Sequence, residues 1–175
     1  MQTTQITPKI YVACLAAYNN GILHGVWIEA SQDKEAIHAQ IKEMLSQSPI
    51  AGAEEWAIHD YEGFCGLRLS EYEDMAKVAE MAAMVKEHGQ AWARYVDHVG
   101  MEHATAEGFK EGFHGEWESE EAFAEDLAEE TMSIPEHLQG YIDYEKMAND
   151  LFINEYYSAQ GENCKKRSDL PVKTF

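Results

Sequence analysis

Between Glu111 and Glu145 the chain carries twelve acidic residues and no lysine or arginine. That restricts what the segment can build. A solvated helix ordinarily mixes signs, because Glu–Lys pairs four apart stabilise it by about 0.2–0.5 kcal/mol each. Here Glu121–Glu125, Glu125–Glu129 and Asp126–Glu130 are like-charge pairs at that spacing, each destabilising by a similar amount. Yet the segment has the signals of an ordered helix. Ser119 fits an N-cap, and Glu120 and Glu121 suit the positive end of the helix dipole. Phe123 and Leu127 give an apolar stripe four residues apart, with the acids on other faces. A packed helix that displays only negative charge points to display as its purpose; the plainer alternative is a solubilising face.

The rest of the composition supports a folded protein. The 175 residues hold 32 acids against 13 bases, a formal charge of −19, with four Trp, nine Tyr and six Phe. Such a chain is too rich in aromatic residues for an acidic disordered tail. The charge disfavours direct contact with nucleic acid or anionic membranes and favours cations, basic proteins or sites built to hold nucleic acid. Residues 1–9 are polar, so no signal peptide is expected, and no apolar run approaches the roughly 18 residues of a membrane span. Cys14, Cys65 and Cys164 lack zinc or redox spacing and are expected as reduced thiols of a cytoplasmic protein.

The pattern along the chain predicts an α+β fold in three small modules, at 1–62, 63–103 and 104–175. Ile10–Ala17 and Ile22–Ile28 read as strands around a turn at Asn19, Asn20 and Gly21. Asp33–Ser46 reads as a helix and Trp56–Tyr61 as a third strand. The middle is helical: Ser70 and Glu73 fit a capping box ahead of Met75, Val78, Ala82 and Val85. Gly89 separates that helix from a second over Gln90–Val99, and the chain beyond it is punctuated by Gly100, Gly108, Gly112 and Gly115. In the last module Pro135 blocks continuation of the acidic helix. Asp143 is placed to cap a helix carrying Tyr144, Met147, Ala148 and Leu151, and Phe152–Ser158 reads as a strand. The tail contains Lys165, Lys166, Arg167 and Lys173; it is either a solvated end or folds back on the acidic body.

Catalytic chemistry finds little support. Glu35-Ala-Ile-His38 and Glu111-Gly-Phe-His114 match the Glu-x-x-His element of di-iron bundles, but neither sits in a helical bundle with the further carboxylates required. His24, His59, His88, His98, His103 and His137 have no evident partner. No phosphate-binding loop, dinucleotide fingerprint, zinc-protease motif or nucleophile elbow occurs. The expectation is a protein with no catalytic residues, no metal and no cofactor.

Four segments resemble the ArdA antirestriction family. The first runs from Pro8 to Ala30, with Tyr18-Asn-Asn-Gly-Ile-Leu-His-Gly-Val-Trp27 as its most specific part. The others are Ile58–Phe64, Ser119–Glu125 and Pro135–Leu151, in the family's order and together spanning most of the chain. The resemblance implies an elongated DNA mimic, encoded on mobile genetic elements, that inhibits type I restriction–modification enzymes. The partner would be the methyltransferase core with its DNA-recognition subunit, and the inhibitor a homodimer joined through its C-terminal module. The carboxylates expected to stand for phosphates are Glu111, Glu116, Glu118, Glu120, Glu121, Glu125, Asp126, Glu129, Glu130 and Glu136. The dimer contact and antirestriction motif would fall on Leu138, Tyr141, Ile142, Asp143, Tyr144, Met147 and Leu151. Two rival readings have other partners: an acidic chaperone or scaffold for basic proteins, and a metalloenzyme.

Overall fold

The computed structural model describes residues 7–158 and 172–174. The chain is α+β and forms two compact units, Met1–Ala93 and Arg94–Phe175. The division between them falls inside the helical stretch 63–103.

The first unit is built on three antiparallel strands in the order β2-β1-β3. These are β1 (Lys9–Cys14), β2 (Gly25–Glu29) and β3 (Trp56–Glu62). A short helix α1 (Leu15–Asn19) joins β1 to β2, which corrects the expectation of a strand continuing to Ala17. Ala16 and Ala17 are strong helix formers, and the Cys14 sulfur accepts the Ala17 N–H at 3.5 Å. Asn20 closes the turn by donating to the Ala16 carbonyl at 2.8 Å, and Gly21 takes the left-handed φ of +74° that the reversal needs.

Helix α2 (Lys34–Ser46) is capped by Asp33, whose carboxylate accepts the Ala36 N–H at 2.8 Å. It buries Ile37, Ile41 and Met44 with Ile10, Val12 and Ile28 of the sheet. His24 is not partnerless: its Nε2 lies 2.7 Å from the Met44 carbonyl oxygen at the end of α2. Helix α3 (Met75–His88) packs on α2. Its cap is Asp74, which accepts from Ala76 and Lys77. The Ser70–Glu73 pair makes its own turn just ahead of the helix, with the Ser70 N–H donating to Glu73 at 3.4 Å. Gly89, at φ +55° and ψ −126°, turns the chain into α4 (Gln90–Val99). Cys14 is a free, buried thiol.

The second unit contains α5 (Ala106–Gly112), β4 (Gly115–Trp117), α6 (Glu120–Thr131), α7 (Glu136–Gln139), α8 (Tyr144–Asn154) and β5 (Val172–Thr174). Gly108 and Gly112 lie within α5, not between elements. At Gly108 a Cβ would sit 2.5 Å from the Tyr95 hydroxyl, so glycine there admits that ring. Helix α8 extends to Asn154, where a strand from Phe152 was expected; the Leu151 carbonyl accepts the N–H groups of both Glu155 and Tyr156. Strand β5 pairs antiparallel with β4, Glu116 opposite Lys173. Lys165, Lys166 and Arg167 lie outside the described residues.

An acidic helix held on an aromatic hub

The acidic helix forms where its sequence directs it. The Ser119 hydroxyl accepts the Ala122 N–H at 3.0 Å, and Glu120 and Glu121 occupy the first turn of α6. Phe123, Ala124 and Ala128 are buried, and Leu127 is half-buried. Phe123 is the hub of the unit. Its ring centroid lies 4.8 Å from those of both Trp117 and Tyr156, 5.6 Å from Phe152 and 6.4 Å from His114. The first three pairs are edge-to-face, the arrangement that a ring quadrupole favours. They clamp α6 between β4 and the end of α8, and α6 packs along α8.

The opposite side of α6 carries Glu121, Glu125, Asp126, Glu129 and Glu130, all exposed. Among the described residues none of these five forms an ion pair. Asp126 is positioned by the Trp117 indole, which donates to its carboxylate at 3.2 Å. Glu120, half-buried, accepts from the Ser158 hydroxyl. Neither contact was foreseeable from spacing alone, since each depends on the turn that returns the chain to α6. Glu111, Glu116, Glu118 and Glu136 are also exposed, on α5, β4, the β4–α6 connection and α7. Neighbouring carboxylates on a helix stand about 5–6 Å apart, a spacing comparable to that of successive phosphates.

The expected contact residues separate into two groups. Tyr141 is 86% exposed and Leu138 is exposed. Ile142, Tyr144, Met147 and Leu151 are half-buried, and exposed Asp143 caps α8 by accepting the Lys146 N–H at 2.9 Å. Met147 and Leu151 line an open depression of about 490 Å³ with Met132, Lys146, Asp150 and Glu155. Exposed Met132 adds apolar surface here that helical periodicity did not point to.

Among the described residues no group of three or more His, Cys, Asp or Glu is arranged to hold a metal ion. His38 instead sits against the Trp56 ring at 6.2 Å, and His114 against Tyr156 at 5.3 Å. Among the described residues no helix is long and apolar enough to cross a membrane.

None of the curated proteins matches the chain. A family model described as antirestriction protein (ArdA) matches residues 10–164. That span takes in most of both compact units, the acidic helix and its aromatic hub, and the chain therefore belongs to the ArdA antirestriction family.

Proposed function

We propose that this antirestriction protein acts as a DNA mimic in the cytoplasm. It occupies the DNA-binding channel of a type I restriction–modification enzyme, contacting the methyltransferase core and DNA-recognition subunit. The observation that carries the reading is the exposed carboxylate face of α6, anchored by Phe123 and without ion pairs among the described residues. An enzyme channel lined with Lys and Arg attracts such a face for the reason it attracts phosphates. Unlike DNA, the protein offers neither a scissile phosphodiester nor a base to methylate. Inhibition is then occupancy, with no catalytic step and no cofactor.

Assembly belongs to the same proposal. The chain is organised as modules at 1–62, 63–103 and 104–175, and two copies join through the last. Exposed Tyr141 and Leu138 and the depression at Met147 and Leu151 supply the apolar surface for a twofold contact. A dimer doubles the acidic surface, which suits an extended channel.

The test is graded neutralisation. Each exposed charge contact is worth roughly 0–1 kcal/mol, so Glu125→Gln or Asp126→Asn alone should weaken binding only slightly. Changing Glu121, Glu125, Asp126, Glu129 and Glu130 together removes about 0.5 kcal/mol at each of five positions. That predicts a loss of nearly two orders of magnitude in affinity for the methyltransferase. Phage plating on a type I restricting host should follow the same order. A single indispensable carboxylate among neutral neighbours would overturn the mimic in favour of a specific ligand or catalytic site.

A further inference from the structure

The sheet of the first unit has one face against α2 and one facing away from it. Ile10, Val12 and Ile28 belong to the buried face. The strand pleat sends alternate residues the other way. In the register, Trp27, Tyr11 and Asp60 lie side by side across β2, β1 and β3, and Glu29, Lys9 and Glu62 form the next row. Pairing between β1 and β3 slips at Tyr11/Val12, leaving His59 as an extra residue, exposed beside Asp60. The Tyr18 ring meets the His59 ring at 4.7 Å, edge to face.

The rings on this face are held but not covered. Trp27 is 44% exposed and lies 5.4 Å from the Tyr11 ring; Tyr18 is 53% exposed. Gly25, opposite Ala13, makes the arrangement possible. A Cβ there would fall 2.7 Å from the Tyr11 ring and 2.5 Å from the Val12 carbonyl. Trp27 and Tyr11 form a partly exposed ring pair on this face, with the Tyr18–His59 pair on the bulge of β3, and exposed apolar patches mark contact sites.

The charges on the face identify what fits. Open aromatic rings on a sheet can stack nucleic-acid bases, but Asp60, Glu62 and Glu29 share this face and repel phosphate. Lys9 on this face is paired with Glu62 at 3.7 Å, and Lys86 reaches Glu29 at 2.9 Å from α3. A second copy would bring like carboxylates together. Guanidinium groups match both features, stacking on the rings and pairing with the carboxylates. We propose that this sheet face is a second docking surface, for an arginine-bearing segment of the restriction–modification enzyme. It rests on the mimic reading for its partner, while its chemistry stands on the first unit alone.

The experiment uses the full chain. Affinity for the purified methyltransferase, measured without DNA, is compared for Trp27→Ala, for Asp60→Asn with Glu62→Gln, and for the five-site α6 variant. The conservative Trp27→Phe controls for folding. Trp27→Ala and the carboxylate pair should each weaken binding about tenfold, and Trp27→Phe should stay within about threefold of the original protein. With fluorotryptophan in place of Trp, octa-arginine should move the Trp27 fluorine resonance more than octa-lysine does. A ten-residue oligothymidylate should leave it in place.

The inference is overturned by unchanged affinity in both sheet variants, by conversion of a dimer to a monomer in Trp27→Ala, or by a Trp27 shift produced by the oligonucleotide. Losses confined to the α6 variant overturn it and leave the mimic standing. An α6 variant that binds normally while the sheet variants weaken does the reverse. A chain that does not bind the methyltransferase overturns both the mimic and this choice of partner.

Discussion

Replacing Phe123 with alanine tests whether the acidic display depends on its aromatic support. Phe123 is 3% exposed and has ring contacts with Trp117, Tyr156, Phe152 and His114. Truncating a buried Phe costs about 3–5 kcal/mol through lost transfer energy and the remaining cavity. Edge-to-face pairs add about 0.5–1.5 kcal/mol each beyond area burial. These terms overlap, so the upper half of the range, about 4–5 kcal/mol, is expected. Few other large side chains are fully buried in this unit, Phe109 foremost, so the loss is a large part of the stability of a domain that holds only about 5–15 kcal/mol. Trp27, Trp56 and Trp92 fall in the first unit and Trp117 in the second. Urea unfolding followed by fluorine NMR of fluorotryptophan-labelled protein therefore reports the second unit through Trp117. Its transition should move by about 4 kcal/mol for Phe123→Ala and by less than half of that for Phe123→Leu. A shift below about 1 kcal/mol for the alanine variant would refute the assignment of Phe123 as the hub.

Three further expectations rest on particular contacts. Gly25→Ala should cost about 1–3 kcal/mol, because the Val12 carbonyl and the Tyr11 ring occupy the space of the new methyl group; an unchanged melting temperature would contradict this. The Glu29 carboxyl is held below its ordinary pKa by the Ser31 hydroxyl and then by Lys86. Its contribution is present above the unfolded-state pKa and disappears as pH falls through the lowered folded-state value, so an NMR titration should show Ser31→Ala and Lys86→Met each raising the midpoint. Met147→Glu should give a monomer by light scattering with its helical signal retained; a persistent dimer would place the contact elsewhere.

Sequence periodicity identified the elements whose signals are local. Helices α2, α6 and α8 begin at caps named by Asp33, Ser119 and Asp143, and β3 lies where Trp56–Tyr61 was expected. Errors occurred where a tertiary contact or competing cap decided the outcome. Leu15–Ala17 was expected to continue the first strand but begins a helix, with Cys14 capping its start. Phe152 continues α8 because its ring is needed against Phe123. The carboxylates of the candidate site were legible as a charge pattern. The hydrogen bonds that hold Asp126 and Glu120 were not, since Trp117 and Ser158 reach them only through the fold. Trp27, the last residue of the most specific family segment, lies nearly half exposed on an edge strand.

The central claim is that carboxylates take the place of phosphates in a basic channel. The most direct measurement is the dissociation constant for the purified methyltransferase as a function of salt, by calorimetry without DNA. If the interface is a field of exposed charges, screening must weaken it. Affinity should then fall at least about tenfold between about 50 and 200 mM salt, and the five-site α6 variant should show a shallower slope. An affinity independent of salt, or an equal slope in that variant, would contradict charge mimicry by this helix.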